Sequence, residues 1–144
     1  MALVHHDLCF GCGVANLFGL QMEVEPLGEG SEGVTGRFFL KQDHQGPPGL
    51  AHGGVLACAL DEAMALCVHG EGTLAMTGRL EVEFRAPAAV GTFVRVDARV
   101  ERRAGRRVEV SARARQVSGE RSIVAEGRAS FVRVDDQARA DPPA

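Results

Sequence analysis

The sequence lacks the features that direct a chain to or across a membrane. None of its 144 residues belong to an apolar run long enough to span a bilayer. Its first ten residues, MALVHHDLCF, do not place a basic segment before an apolar one, as a signal peptide would. We therefore expect a cytoplasmic protein that does not associate with membranes.

Excess charge, internal repeats and linkers are missing as well. The formal net charge is −3, so nothing in the composition favours nucleic acid as a partner. A chain of this length without a linker fits one domain, which we assign to residues 1–134. The polar residues 135–144, which end in prolines, are predicted to be a disordered tail.

Cysteine is scarce, and no second pair matches Cys9-x-x-Cys12. In a cytoplasmic protein we expect reduced thiols. The pair suggests zinc or redox chemistry, but structural zinc normally has four ligands. His5 and His6 are candidates to complete such a site, although they lie in a terminus that we expect to be mobile. We therefore predict that the cysteines pack at the start of a strand, and we predict neither a metal nor a cofactor.

What the sequence does contain is period-two alternation over most of its length, the signature of β-strands. In RLEVEFRA, for example, Leu80, Val82 and Phe84 share one face, and charged residues occupy the other. We predict about six such strands, each with one dry and one wet face, which is typical of an antiparallel sheet covered on one side. Short turns between the last four strands favour a meander.

Residues 53–69 depart from this alternation because nearly every side of the segment is apolar, which predicts a buried helix. The fold class is therefore α+β, with an antiparallel sheet of five to six strands wrapped around one long central helix. Two adjacent carboxylates, Asp61 and Glu62, interrupt the helix. An ionised carboxylate in an apolar site is costly unless it is paired or hydrogen-bonded. Either one acid faces solvent and the other pairs with an arginine, or the position serves a function.

The start of the helix favours a function for Asp61. Gly53 and Gly54 are poor helix formers that allow a ligand to approach the backbone, and they follow His52. The first N–H groups of a helix have no internal partner, so they can hold a carbonyl oxygen. Asp61 lies nine positions after His52. It can act as nucleophile or as base for water only on a substrate that lies across the helix or enters from a partner subunit.

These motifs resemble a known family. GPPGLAHGGVLACALDEAMA is similar to the central motif of hotdog-fold acyl-CoA thioesterases, specifically the phenylacetate-pathway and 4-hydroxybenzoyl-CoA thioesterase-like group. CFGCGVANLFGLQMEV, MTGRLEVEFRAPAAVG and the last two predicted strands extend the resemblance over residues 9–133. It implies an acyl-CoA hydrolase that forms homodimers by pairing two sheets edge to edge, or dimers of dimers, with the active site at the subunit interface.

The resemblance also implies roles for individual residues. Gly53 would donate its N–H to the thioester oxygen, supported by Gly54 and the helix dipole. His52 would shape the turn. Asp61 of the other subunit would be the nucleophile or general base, and Thr77 would position water. Glu62 has no such role and is expected to make a structural contact.

Substrate contacts are predicted at two further places. Many relatives carry Asn or Gln six positions before the histidine of the HGG motif; this chain has Gly46 there, and the neighbouring Gln45 is the candidate to substitute for it. A cluster of arginines at a predicted hairpin tip is either a solvated turn or a site for the phosphates of coenzyme A. The predicted members of this cluster are Arg102, Arg103 and Arg106, next to Arg107.

Two other functions remain open. DHQGPPG followed by EAMA faintly resembles hotdog-fold hydroxyacyl-thioester dehydratases or hydratases, which would use His44 and Glu62. Those enzymes lack the HGG motif with an acid at this spacing. The third possibility is a protein that binds acyl-CoA without catalysis.

Overall fold

The computed structural model of the chain describes residues 2–28, 33–69, 74–117 and 122–134; the predicted tail, 135–144, lies outside these ranges. The described residues form one long helix, α1 (Gly53–His69), a single turn of 3₁₀ helix (Gln42–His44) and six strands. The strands are β1 (Glu23–Pro26), β2 (Gly33–Phe39), β3 (Ala75–Phe84), β4 (Phe93–Ala104), β5 (Arg107–Gln116) and β6 (Ile123–Arg133).

The six strands form one antiparallel sheet in the order β1-β2-β4-β5-β6-β3, and α1 packs across one of its faces. The alternation in β4 and β5 places one apolar row of each strand against the helix. The buried members of these rows are Val94, Val96, Ala98, Val100, Val108, Val110, Ala112 and Ala114. The helix begins and ends where the sequence predicts, and the arrangement confirms the predicted hotdog fold.

The predicted meander holds for β4, β5 and β6 but is wrong for β3, which pairs with β6 at the edge of the sheet. The segment after β3 is not a hairpin turn. It crosses the loop that precedes α1, where the N–H of Ala51 donates to the carbonyl oxygen of Ala88, and Leu50 and Ala89 form an isolated bridge. This connection carries the chain from the β3 edge of the sheet to the position of β4, between β2 and β5.

The predicted burial of β3 is also only partly correct. Leu80 and Val82 are half-buried, but Phe84 is 56% exposed and Met76 is 61% exposed. The reason is its position: an edge strand of ten residues has neighbours on one side only. Within the described ranges, β3 therefore presents a long, partly apolar, unpaired edge.

The N-terminal segment, residues 2–20, for which the sequence suggests mobility, lies folded against α1 and β1. Leu20 and Met22 donate backbone hydrogen bonds to the carbonyl oxygens of Phe10 and Gly11. Gly11 packs so closely on the helix that an added Cβ would clash with the side chain of Glu62, so any other residue here would displace that carboxylate. None of the helices in the described ranges combines the length and apolar character needed to span a bilayer.

Candidate active site

The loop that leads into α1 is held by hydrogen bonds from residues of the predicted site. Oε1 of Gln45 accepts a 3.0 Å hydrogen bond from the N–H of Gly49. Gly46 lies under the next turn, where an added Cβ would come within 3.0 Å of Cα of His52. Nδ1 of His52 accepts a 2.8 Å hydrogen bond from the N–H of Gly54. Gln45, Gly46 and His52 therefore shape the start of the helix.

The N–H groups of Gly53 and Gly54 differ in whether they already donate a hydrogen bond. The N–H of Gly54 is already satisfied by His52, so it is not a free second donor. Gly53 is the first residue of α1, and its N–H makes no hydrogen bond to any residue in the described ranges. The ring of Phe84 stands beside it, 3.4 Å from where a Cβ would be. The N–H of Gly53 is thus a free donor at the positive end of the helix.

Asp61 and Thr77 meet between α1 and β3. The hydroxyl of Thr77 donates a 2.7 Å hydrogen bond to Oδ1 of Asp61. Asp61 is half-buried and Thr77 is exposed, so the pair lies at a partly exposed junction of α1 and β3. Burial raises the pKa of Asp61 above its ordinary value, and the hydrogen bond from Thr77 acts in the opposite direction. The sequence predicted both residues, and the structure brings them together.

Asp61 and Gly53 of one chain cannot act on the same atom. They are eight residues apart on a straight helix, which corresponds to about 12 Å along its axis. The helix side that carries them is nevertheless uncovered: Ala57, Asp61 and Ala65 recur at helical spacing and are only half-buried. A second surface against this side would be needed to bring an acid and an oxyanion donor together.

The arginines predicted to bind coenzyme A lie at the tip of the β4–β5 hairpin and are exposed. Arg102 and Arg103 belong to the end of β4, and Arg106 precedes β5 and donates a 3.4 Å hydrogen bond to the carbonyl oxygen of Arg133. The strand register puts this tip at the same end of the sheet as Thr77, two strands away from β3.

The two residues of the alternative dehydratase site, His44 and Glu62, make contacts that are typical of structural residues. His44 is 3% exposed; its Nδ1 accepts from the N–H of Lys41 and its Nε2 lies 3.4 Å from the carbonyl oxygen of Gly19. Burial lowers the pKa of His44. Glu62 is 8% exposed and also lies beneath the N-terminal segment. Neither side chain lies between α1 and β3, where Asp61 meets Thr77.

Glu62 makes structural contacts, as expected, but with residues that lie far from it in the sequence. Its Oε1 lies 2.8 Å from Nδ1 of His5 and 3.4 Å from Sγ of Cys9. The hydrogen bond to Glu62 raises the pKa of His5 to about 9. Burial alone would raise the pKa of Glu62, but its hydrogen bonds with His5 and Cys12 lower it. The contacts of Glu62 span more than fifty residues and leave no local signal, so the sequence pattern indicates His5, Cys9 and Cys12 as a group but not Glu62.

A central helix wrapped by an antiparallel sheet, with an acid midway along the helix and a free N–H at its start, defines a hotdog-fold protein of the thioesterase type. Residues 48–123 match the family described as the thioesterase superfamily, and the chain belongs to it. Among characterised proteins, acyl-coenzyme A thioesterase THEM4 of Bos taurus is 30% identical over 93 residues, which is 65% of this chain but 38% of that relative.

Solved structures resemble the fold closely. A putative thioesterase of Ralstonia eutropha, described as a phenylacetic acid degradation-related protein, superposes with a TM-score of 0.69 at 24% identity, covering 78% of this chain and 85% of that one. A hypothetical thioesterase of Streptococcus pneumoniae with coenzyme A gives 0.71 at 15% identity, covering 78% and 88%. Two further structures of that protein carry an aspartate or a threonine replaced by alanine.

Proposed function

We propose that this protein is an acyl-CoA thioesterase, which hydrolyses a thioester to the free acid and coenzyme A. The observation that carries the proposal is the 2.7 Å hydrogen bond between Thr77 and Asp61, which holds a half-buried carboxylate at the partly exposed junction of α1 and β3. Membership of the thioesterase superfamily and the resemblance to THEM4 support this chemistry. The unpaired N–H of Gly53 supplies the matching oxyanion donor.

The active site in this proposal is shared between two copies of the chain. Gly53 and Asp61 of one chain are too far apart, and the uncovered sides of α1 and β3 adjoin. Pairing two β3 edges by a two-fold axis satisfies their unpaired backbone groups and covers Met76 and Phe84. Such pairing sets Gly53 of one subunit opposite Asp61 of the other. Two such dimers can associate further into a tetramer.

The hydrolysis then proceeds through a tetrahedral intermediate. The thioester carbonyl oxygen accepts a hydrogen bond from the N–H of Gly53, which stabilises the negative charge that develops when the carbonyl carbon is attacked. As a base, Asp61 takes a proton from the attacking water, a new C–O bond forms, and the C–S bond breaks as the thiolate of coenzyme A leaves. As a nucleophile, Asp61 attacks the carbonyl carbon, the C–S bond breaks as the thiolate of coenzyme A leaves, and water then cleaves the resulting acyl anhydride.

Thr77 fits both routes because it holds only one carboxylate oxygen. With Oδ1 engaged by the hydroxyl, Oδ2 remains to accept a proton or to attack. In a single turnover in ¹⁸O-labelled water, a base places the label in the released acid, whereas a nucleophile whose anhydride is opened by water at Cγ of Asp61 leaves the label in Asp61. Label in Asp61 therefore identifies the nucleophilic route. The aspartate and threonine substituted in the Streptococcus pneumoniae protein, at the same separation, support the choice of this pair.

The hairpin arginines are proposed to contact the phosphates of coenzyme A. Guanidinium groups bind phosphate in a bidentate manner, and these side chains are exposed. Replacing Arg102, Arg103 and Arg106 together by glutamine would then raise KM for acyl-CoA while leaving kcat close to its original value. Gln45, which is exposed and anchored at the loop before α1, is a further candidate to contact the substrate near its carbonyl group.

The proposal is tested by measuring coenzyme A release from aryl, medium-chain and long-chain acyl-CoAs. We expect Asp61→Asn to lower kcat by about 100- to 10,000-fold. Asp97→Asn, an equivalent change in an exposed ion pair of β4, is the matched control and should retain activity. Equal turnover in all three proteins would remove Asp61 from the mechanism. Binding of acyl-CoA without release by the wild-type protein would identify a non-catalytic binder instead.

A further inference from the structure

We propose that His5, Cys9, Cys12 and Glu62 form a structural zinc site that fastens the N-terminal segment to the central helix. One potential ligand atom from each residue lies within 4.8 Å of all the others. Three of these residues come from the N-terminal segment and the fourth is buried in the middle of α1. The inference does not depend on the proposed thioesterase activity, because Asp61 belongs to a different cluster.

The distances between the ligand atoms are close to those of a tetrahedral zinc centre. With ordinary zinc bond lengths, a sulfur lies about 3.5–3.6 Å from a nitrogen or oxygen ligand. Sγ of Cys9 is 3.4 Å from Oε1 of Glu62 and 3.6 Å from Nδ1 of His5. Sγ of Cys12 is 3.8 Å from the same nitrogen. Of these four separations, the 2.8 Å between His5 and Glu62 departs most and must widen to about 3.3 Å when an ion lies between them; the other two pairs of ligand atoms lie within 4.8 Å.

The ligand types favour zinc over other divalent ions. Two thiolates and an imidazole are soft to intermediate donors that suit zinc, and they do not suit magnesium or calcium, which prefer oxygen. The Cys-x-x-Cys spacing is the usual one for a pair of zinc ligands on a tight turn. Three acidic ligands and one neutral imidazole around a divalent cation leave a net charge of only −1, so the buried carboxylate of Glu62 is compensated.

The backbone around the cysteines is already folded as a ligand turn. The N–H of Gly13 donates a 2.8 Å hydrogen bond to the carbonyl oxygen of Cys9, which closes the turn. The N–H of His5 lies 3.2 Å from Sγ of Cys12 and donates to it, an outer contact that stabilises a thiolate. Gly11, between the two cysteines, has no side chain because Glu62 occupies that space.

Four protein ligands leave no open coordination position, which makes the site structural rather than catalytic. The ion would replace what this segment lacks in apolar packing, since several of its large side chains are exposed. These are Val4, Leu8, Phe10, Val14, Leu17 and Phe18. Metal binding would therefore contribute directly to the free energy of folding of residues 2–20.

The test measures metal in the full-length protein purified without chelators. We expect about one zinc per chain by elemental analysis. Cobalt(II) added to the metal-free protein should give the intense thiolate-to-cobalt charge-transfer absorption of a tetrahedral two-sulfur site, and one equivalent of zinc should abolish it. Each of His5→Ala, Cys9→Ser, Cys12→Ser and Glu62→Gln should weaken zinc binding by more than about 100-fold in competition with a chromophoric chelator.

Matched variants keep the test decisive if a ligand variant folds poorly. His6→Ala and Cys58→Ser change the same residue types outside the cluster, and Asp61→Asn changes the neighbouring acid; all three should keep one zinc per chain. The inference is overturned if the wild-type protein neither contains nor retains zinc, or if the ligand variants retain it as well as their controls do. A disulfide between Cys9 and Cys12 in the freshly purified protein, detected by its intact mass, would likewise overturn it.

Discussion

Asp61 and Glu62 are consecutive residues of α1, yet their carboxylates belong to two separate clusters. Asp61 accepts a hydrogen bond from Thr77 of the edge strand, and Glu62 lies 2.8 Å from His5 of the N-terminal segment. The angle of about 100° between neighbouring helical side chains is what separates them. Asp61 is thereby left half-buried at the junction of α1 and β3, and Glu62 is enclosed beneath the N-terminal segment.

The raised pKa of Asp61 predicts a stability cost at neutral pH. A carboxyl group whose pKa is higher in the folded protein favours the folded state at low pH, and this contribution is lost as the pH rises through the folded-state pKa. Asp61→Asn should therefore increase the melting temperature at pH 7 while abolishing turnover, and the increase should shrink as the pH falls towards 4. A melting temperature below that of the wild type at every pH would contradict this assignment. Asp97→Asn controls for the loss of one acid.

The hydroxyl of Thr77 predicts where the acid limb of the pH–rate profile lies. Its hydrogen bond lowers the pKa of Asp61, so its removal should raise that pKa further and move the limb to higher pH. Thr77→Val removes the hydroxyl and should also cost about tenfold in kcat/KM at neutral pH. Thr77→Ser keeps it and should leave the limb in place. Identical profiles for the two variants would exclude this role.

Two substitutions of Gly53 separate its N–H from its small size. Gly53→Pro removes the N–H at the first helical position, where proline is well tolerated, and should lower kcat by about 100- to 1,000-fold. Gly53→Ala keeps the N–H, and its methyl group would meet Phe84 at an ordinary 3.4 Å. Steady-state kinetics on both variants, with melting curves to verify folding, distinguish the two effects. Equal losses would point to crowding rather than to a missing donor.

An active site shared between subunits predicts complementation. Asp61→Asn and Gly53→Pro should each be inactive alone, but a mixed dimer carries one site with both groups intact. Co-expression with two affinity tags should therefore restore about a quarter of the wild-type activity per chain if dimers assemble at random. A pool of the two variants that stays as inactive as either alone would refute the shared site. Sedimentation in parallel verifies that the chains associate.

The parts of the fold that the sequence predicted are those with a local signal. Helix α1 and the alternating rows of β4 and β5 follow from periodicity alone, and Asp61 with Thr77 follows from a family resemblance. The position of β3 in the sheet could not be predicted from a local pattern, because the connection that follows β3 packs against the loop before α1 instead of turning back. The partners of Glu62 could not be predicted either, since His5 is 57 residues away and no sequence pattern links the two.

The two edges of the sheet are unequal, and this inequality bears on how large an assembly the chain can build. The β1 edge is only four residues long, and Leu3 already bridges to Val24 there. The β3 edge offers ten residues with no strand beside them in the described chain. If two copies pair through β3, as proposed above, that pairing uses the longer edge of each sheet. Further growth by strand pairing would then have to use the short β1 edges, which offer few backbone groups.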